Sequence, residues 1–428
     1  MTRCEATLER ALARVPFYRP WEAADPGPSV PVAKRLAALP VLTKRDLRAH
    51  VPRGFMDDTR SCEAGFASGD VEIVATSGTG GDRASVVWYQ PWWDMSEREA
   101  ARIHPALDRA FNAPHREAVL TTPVCAGNLC HVGNATMEER TLGNLLFLNQ
   151  ALDPTAWDED QIRRMAREMG IFQAEVLETD PAYLCLFARA AVQAGLLLHQ
   201  PRCIVLTYEF PSRIHYRQIA RAFPGVPVVS SYGSTETGHV FTQCGQGTFH
   251  QNTATCHVEV QLLRPDRGDP GVGRLLVSTL DNRWFTLLRF DVGDLARVRT
   301  DPCACGRTDG LALDAIEGRL QDVTFDCDGR LVTLKVLDDA LSVVDGLQGY
   351  QVEQAAIGVL LLHYVVEPGL DTSRLQDVEC RLLQALREVY GPATVMEMRR
   401  EASLSPEQSG KFRLAQTSLP ILPEELFT

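Results

Sequence analysis

The chain has 428 residues, 45% hydrophobic and 23% charged, with a net charge of −12. That length exceeds one small core and predicts two domains. The acidic balance, with no run of Lys or Arg longer than two, excludes a protein built to neutralise nucleic-acid phosphates.

The N-terminal MTRCEATLERALARVPFYRPW reads as an amphipathic charged helix ended by proline, without the apolar core of a signal peptide. No window reaches the roughly 18 apolar residues of a spanning helix; the richest, Ile357 to Val366, is of strand length. No membrane association is expected, and the localisation expected is cytoplasmic. The 12 cysteines are then reduced thiols, metal ligands or core residues rather than a disulfide framework. Cys4, Cys62, Cys125, Cys130, Cys185, Cys203, Cys327 and Cys380 read as core-type side chains.

Residues 1 to about 70 predict helices with Pro-rich connectors, including one capped by Thr43 with Asp46 in its first turn. VEIVAT at 71–76 predicts a strand running into SGTGGDRAS, with SVVWYQ resuming the strand pattern, so a Gly-rich hairpin loop results. From 90 to 200, helical periods broken by AVLTTP and NLLFLN predict alternating strands and helices around a mainly parallel sheet. CIVLTYE, VPVVSSYG and GRLLVSTL are further segments of buried-strand type. Past Gly318 the pattern changes to a hairpin around Asp328-Gly329, then a helix, two strands, a helix and a strand. The fold class predicted is α/β: a large domain over 1–318 with mainly parallel sheets, and a smaller, mobile α+β domain over 319–428.

Five segments carry chemistry. TSGTGG, spanning Thr76, Ser77, Gly78, Thr79, Gly80 and Gly81, supplies hydroxyls and backbone N–H groups with little bulk, as a loop wrapping polyphosphate requires. It is not a Walker A loop, and a plain hairpin turn would account for it equally. SYGSTETG follows an apolar strand and brings Ser231, Tyr232, Gly233, Thr235 and Glu236 to its end, where open α/β sheets bind ligands. One carboxylate among hydroxyls suits a Mg²⁺ that keeps most of its waters, whereas a solvated loop needs no metal. In LRFDVGDLARV, Asp294 follows a glycine and ends the strand pattern, placed to accept two hydroxyl hydrogen bonds or to make a turn. EGRLQD contains Arg319, and SGKFRL near the C-terminus forms a mobile Gly-Lys turn in which Lys411 would ordinarily be exposed.

In this order and spacing the five resemble the adenylate-forming superfamily. TSGTGG resembles its phosphate loop, SYGSTE its YGxTE segment, LRFDVGDL its YRTGDL, GRLQD its GRxDD, and SGKF its terminal Gly-Lys loop. VPFYRPW, LPVLTKRDL, ETDPAYLCLFARAAVQAG and the CxCGRT segment at 303–308 resemble the phenylacetate-CoA ligase branch. The resemblance implies ATP-dependent adenylation of a carboxylic acid. In that reading Thr76, Ser77, Thr79 and Gly80 hold the leaving phosphates, Thr235 meets the α-phosphate and Glu236 binds Mg²⁺. Tyr232 lies against adenine, Asp294 takes the ribose hydroxyls, Arg319 adds a cation, and Lys411 bridges carboxylate and α-phosphate from the small domain. The acid pocket would be drawn from 124–132, 207–210 and 230–233, with His131, Glu209, Phe210 and Ser231 as substrate-binding candidates; its lining favours a flat aryl or short acyl acid.

Cys244 and His250 lie six apart, and Cys303 and Cys305 flank Ala304, giving three thiolates and one imidazole. That is a closed tetrahedral set for a structural zinc, a pattern several members of the resembled family carry. Cys256 and His257 compete as ligands.

The sequence also departs from the family. Gly80 replaces a threonine, the Pro-Lys after the phosphate loop is absent, Gln321 stands where relatives have a hinge Asp, and a DCDG hairpin replaces the loop beyond it. Transfer to CoA is thereby put in question. The acceptor is left open among CoA, a carrier-protein thiol and an amine. Two other readings stand beside this one: ATP-dependent activation of nitrite with an aromatic amine to give a diazo product, and a non-catalytic zinc-bearing binding protein on the same scaffold. A homodimer is consistent with family habit.

Overall fold

The structure is a computed structural model that describes residues 2–75, 84–123, 133 and 135–428. Thr2 opens α1 (Arg3–Arg14) with a reciprocal capping box to Glu5. The expected box recurs at α3, where the Thr43 hydroxyl accepts the Asp46 N–H and Asp46 accepts the Thr43 N–H. With α2 (Val32–Ala38), α3 (Lys44–His50) and α4 (Cys62–Ser68), this region packs Leu8, Tyr18, Leu36 and Phe55 into one apolar cluster with Val277, Phe285 and Phe290.

Strands β1 (Glu72–Ala75) and β2 (Ser85–Trp88) pair antiparallel from Ala75↔Ser85 outward, as the sequence pattern predicts. The TSGTGG residues 76–81 between them lie outside the described residues.

After α5 (Gln90–Ala101) and α6 (Pro105–Phe111) comes β3 (Glu117–Leu120), then β4 (Thr141–Leu142), β5 (Leu145–Phe147), α7 (Glu159–Phe172), β6 (Val176–Thr179), α8 (Pro181–Gln193), β7 (Cys203–Leu206), α9 (Arg213–Ala222) and β8 (Val228–Ser234). Strands β5, β3, β6, β7 and β8 run parallel in that spatial order. Helical crossovers on this sheet bring the strands' carboxyl ends to one edge, the expected arrangement.

The remaining strands of the sheet are antiparallel, an addition to the expected parallel pattern. They are β4, on the outer edge of β5, and β9 (Gly238–Gln243), β10 (Phe249–Gln251), β11 (Cys256–Leu262), β12 (Val272–Thr279), β13 (Phe290–Val298) and β14 (Ala312–Arg319). The full order is β11-β12-β13-β14-β10-β9-β8-β7-β6-β3-β5-β4. β8 is where the two halves meet, parallel to β7 on one side and antiparallel to β9 on the other.

Beyond Arg319 the chain makes the expected hairpin, β15 (Thr324–Phe325) with β16 (Leu331–Val332), with Gly329 at φ +74° in its turn. A second sheet follows from α10 (Leu334–Leu341), β17 (Leu347–Ala356), β18 (Val359–Val366), α11 (Thr372–Tyr390), β19 (Val395–Arg400) and β20 (Ala415–Thr417), in the order β19-β18-β17-β20. A short α12 (Pro423–Leu426) closes the chain.

No described helix is long and apolar enough to cross a membrane. Of the cysteines read as core-type, Cys62, Cys185 and Cys203 are buried, but Cys327 and Cys380 are exposed, on a hairpin turn and on α11. Cys125 and Cys130 lie outside the described residues.

Candidate active site

Three parallel strands end side by side, and the residues just past them converge. Thr122 follows β3, Asp180 follows β6, and Tyr208 with Glu209 follows β7. Asp180 caps α8, its Oδ1 accepting the N–H groups of Ala182 at 3.0 Å and Tyr183 at 3.4 Å. Tyr208 sits at φ +71°, a conformation rare outside glycine, which turns its ring down so that its hydroxyl donates to Glu178.

The Gly-Lys turn docks onto this group. The Thr122 hydroxyl donates to the Ser409 carbonyl at 3.0 Å, the Tyr183 hydroxyl to the Gly410 carbonyl at 3.1 Å, and the Phe412 N–H to Glu209 Oε1 at 2.7 Å. Lys411 Nζ donates to the Tyr208 carbonyl at 3.3 Å. Unlike the exposed lysine of an ordinary Gly-Lys turn, Lys411 is only 8% exposed. The docking needs glycine at 410: φ is +82°, and a Cβ there would stand 2.5 Å from Thr122 Oγ1 and 2.7 Å from the Tyr183 hydroxyl.

A cleft of about 240 Å³ opens between this turn and the junction of the two sheet halves. Tyr232, Asp294, Arg319, Glu209 and Lys411 all line it. The Tyr232 hydroxyl donates to Asp294 Oδ2 at 2.8 Å, and Arg319 Nε lies 3.8 Å from Asp294 Oδ1. Asp294 does not end its strand as its sequence suggested; it sits within β13, directly opposite Arg319 on β14, and this register aims both side chains at the cleft. Gly233 is required by the hairpin, since a Cβ would stand 2.2 Å from the Gly238 carbonyl.

Ser231 and Phe210 line the cleft as expected, although Phe210 also packs against the core of the second sheet. Glu209, expected to bind the acid, spends one carboxylate oxygen on the Phe412 N–H. Thr235 and Glu236 occupy the turn between β8 and β9 and are not among the described residues lining the cleft; Glu236 is 6% exposed. Glu236 is nevertheless close enough for its charge to act on the Tyr232 hydroxyl, which does line the cleft. His131 and residues 76–81 lie outside the described residues.

The electrostatics of the docking point are dominated by carboxyls withdrawn from water. Burial pushes the Asp180 carboxyl up to about 6, the nearby Lys411 cation partly offsetting it. Burial and then the Asp180 charge push Glu209 well above the carboxylate range. Beneath Tyr208, burial and the Glu117 charge raise Glu178 to about 8.

On the far side of the antiparallel half, the four expected metal ligands meet. The donor atoms of Cys244, His250, Cys303 and Cys305 all lie within 4.8 Å of one another. Cys244 and His250 are not on one loop but straddle the β9–β10 hairpin, while Cys303 and Cys305 come from the β13–β14 connection. Cys244 Sγ is 3.7 Å from Cys303 Sγ, and Cys305 Sγ is 3.2 Å from His250 Nε2. Zinc–sulfur bonds of about 2.3 Å in a tetrahedron place sulfurs about 3.8 Å apart, so the residues fit such an ion. The Gln246 N–H points at Cys244 Sγ from 3.4 Å, and the Thr248 hydroxyl heads the groups that lower the Cys303 thiol to about 6. Cys256 instead donates to the Asn252 carbonyl and stands outside the quartet.

No protein-family model matches the chain. It is 24% identical over 372 residues to the phenylacetate-coenzyme A ligase of Thermus thermophilus, covering 83% of this chain and 78% of that protein. Its structure superimposes on 2-hydroxyisobutyryl-CoA ligase in the postadenylation state with a TM-score of 0.70 at 18% identity, covering 97% of this chain and 88% of that one. The chain resembles phenylacetate-coenzyme A ligase in sequence and has the fold of the adenylate-forming ligases. The same 2-hydroxyisobutyryl-CoA ligase in its thioesterification state gives 0.55 at 19% identity over 97% and 88% of the chains. The amide bond synthetase McbA from Marinactinospora thermotolerans gives 0.51 at 17% identity over 86% and 71%.

Sequence reasoning missed Asp180 and Tyr183 as parts of the site, whereas Tyr208 lies in the 207–210 segment it had pointed to. Asp180 carried a usable signal: it closes the β6 strand and precedes Pro181, an N-cap followed by proline at the first helical position, at a strand's carboxyl end.

Proposed function

We propose that this chain uses ATP to activate a small, flat carboxylic acid as its acyl-adenylate, releasing pyrophosphate. The observation that carries this reading is Lys411, buried at the carboxyl ends of the parallel strands and facing a cleft that also presents Asp294, Tyr232 and Arg319. We take residues 1–318 as the large domain and 319–428 as the small one that delivers the lysine.

In this reaction a carboxylate oxygen attacks the α-phosphorus of ATP, the bond to pyrophosphate breaks in line, and the enzyme positions reactants and offsets charge. Lys411 holds its ammonium between the incoming carboxylate and the α-phosphate. Both are anions, and their mutual repulsion is relieved only while the turn is docked. Asp294 keeps acceptor sites for the ribose hydroxyls beside its bond from Tyr232, whose ring stands against the base. Arg319 contributes positive charge at the nucleotide.

Thr76, Ser77, Thr79 and Gly80 are assigned to the leaving phosphates and Thr235 to the α-phosphate. Glu236, beside the hydrogen-bonded hydroxyls of Ser234 and Thr237, would hold Mg²⁺ together with phosphate oxygens, and that ion supplies charge neutralisation of the triphosphate. The quartet of Cys244, His250, Cys303 and Cys305 would hold a structural zinc, with no ligand position left for chemistry.

The test is a mass-spectrometric search for AMP and acyl-adenylate after incubation with ATP, Mg²⁺ and a panel of aryl and short-chain acids. Acid-dependent AMP formation supports the reading; ATP left intact with every acid contradicts it.

A further inference from the structure

Phe412 and Leu414 border two cavities: the cleft, and a smaller one of about 60 Å³ between helices α8 and α9 and the small sheet. The large domain supplies Cys185 and Arg189 from α8 and His215 from α9, and the small domain supplies Gln348 from β17 and, beyond β19, Ser403. The volume is room for about five water molecules, or for one compact ion of the size of phosphate.

The polar side chains that converge there have donors to spare. Arg189 Nη1 donates to Gln348 Oε1 at 3.0 Å, a hydrogen bond between the domains, and the guanidinium forms no ion pair among the described residues. Burial disfavours its charge, and the only opposing influence is the Cys185 thiol, which burial itself keeps protonated. With Oε1 engaged, Gln348 has its amide N–H groups left to offer. His215 Nδ1 accepts the Ser212 N–H at 3.1 Å, and burial lowers the ring to about 4. At neutral pH the ring is therefore uncharged with its one proton on Nε2, a donor with no acceptor among the described residues. No Asp or Glu is among the described residues that line the cavity. A guanidinium withdrawn from water beside unpaired N–H donors, with no carboxylate to neutralise it, is the environment that an anion completes.

We propose that this cavity binds a small oxyanion, held by Arg189, the His215 Nε2–H and the Gln348 amide, and that the bound anion favours the posture in which the 409–412 turn is docked. The walls come from both domains, and Phe412 directly follows Lys411 with its N–H on Glu209. Withdrawing the small domain parts Arg189 from Gln348 and takes Phe412 out of the wall. The anion thus binds the docked form, and its binding free energy is added to docking. At ten times its Kd the docked form gains about elevenfold over a withdrawn one. The consequence for catalysis rests on the adenylation reading, in which docking brings Lys411 to the reacting groups.

The experiment titrates the full chain with inorganic phosphate in the absence of nucleotide, reading affinity by isothermal titration calorimetry and deuterium exchange over segment 409–414. The wild type should bind phosphate, and at ten times the measured Kd exchange in that segment should slow about tenfold. Arg189→Gln, with its fold checked by circular dichroism, should lose at least about tenfold in affinity and show no slowing; Gln348→Leu, on the opposite wall, should weaken binding likewise. No binding by the wild type, binding unchanged in both variants, or binding that leaves segment 409–414 exchanging as before overturns the proposal. None of these outcomes touches the adenylation reading, which fails separately if no acid supports pyrophosphate exchange.

Discussion

Replacing Asp180 by Asn separates the electrostatic penalty of this carboxyl from its structural role. The side chain is fully buried, caps α8 through Oδ1, and shares a hydrogen bond with the Glu209 carboxyl. Its ionisation is moved from 3.8 up to about 6, first by burial, with Lys411 pulling the other way. An acid raised in the folded state binds protons there that the unfolded chain has already lost. Below the unfolded value both states are neutral and the term vanishes. As pH rises from 3.8 to about 6 stability falls, and above that the full penalty applies. At about 1.4 kcal/mol per pH unit the gap is worth about 3 kcal/mol, an upper figure because the Asn variant also loses the attraction to Lys411. The Asn carbonyl keeps the cap, and its amide can donate to Glu209. Urea unfolding followed by tryptophan fluorescence is a suitable assay, since Trp157 packs edge-on against Tyr183 of α8 at 5.7 Å. Asp180→Asn should raise the urea midpoint at about pH 7.5 and leave it close to wild type at about pH 4. A lower midpoint at the higher pH, or an equal change at both, would refute the reasoning.

Three other perturbations have definite outcomes. Gly410→Ala places a methyl against Thr122 and Tyr183, so the turn cannot seat; pyrophosphate exchange should fall at least about tenfold with circular dichroism unchanged, and normal exchange would contradict the docked geometry. Asp294→Ala removes the acceptor for the ribose diol; with a charged hydrogen bond worth about 1.5–3 kcal/mol, KM for ATP should rise about 10- to 100-fold, and an unchanged KM would remove Asp294 from the nucleotide site. Elemental analysis should find about one zinc per chain, lost in Cys303→Ser together with thermal stability; metal-free wild-type protein of equal stability would reduce the quartet to a cluster of thiols.

Much of the scaffold was legible locally. Thr43 with Asp46, the strands flanking the Gly-rich loop and the Asp328-Gly329 hairpin each depend on a few adjacent residues whose conformational preferences agree with the fold. The Cys/His quartet was legible because a Cys-x-Cys turn is itself a local structure, although the pairing of β9 with β10 that completes it is not. The antiparallel half was less so: β11 (CHVEVQL) does alternate apolar and polar residues, but which strands pair with which is set by contacts between segments far apart in sequence.

The site was legible in its residue types but not in its geometry. The burial of Lys411 arises from four contacts made more than 200 residues away in sequence, and the position of Glu209 follows from the same docking. Asp294 opposite Arg319 is a register between strands, which no single segment encodes. The tail's return to β11 likewise lies in the pairing of Phe427 with Leu263, not in either sequence neighbourhood.

The measurement that tests the central claim most directly is ATP–pyrophosphate exchange across aryl and short-chain acids and nitrite, run on the wild type and on Lys411→Ala. The account predicts exchange that depends on a carboxylic acid and disappears in the variant while its fold is retained. Exchange at the normal rate in Lys411→Ala, or no exchange with any carboxylic acid in the wild type, would contradict it.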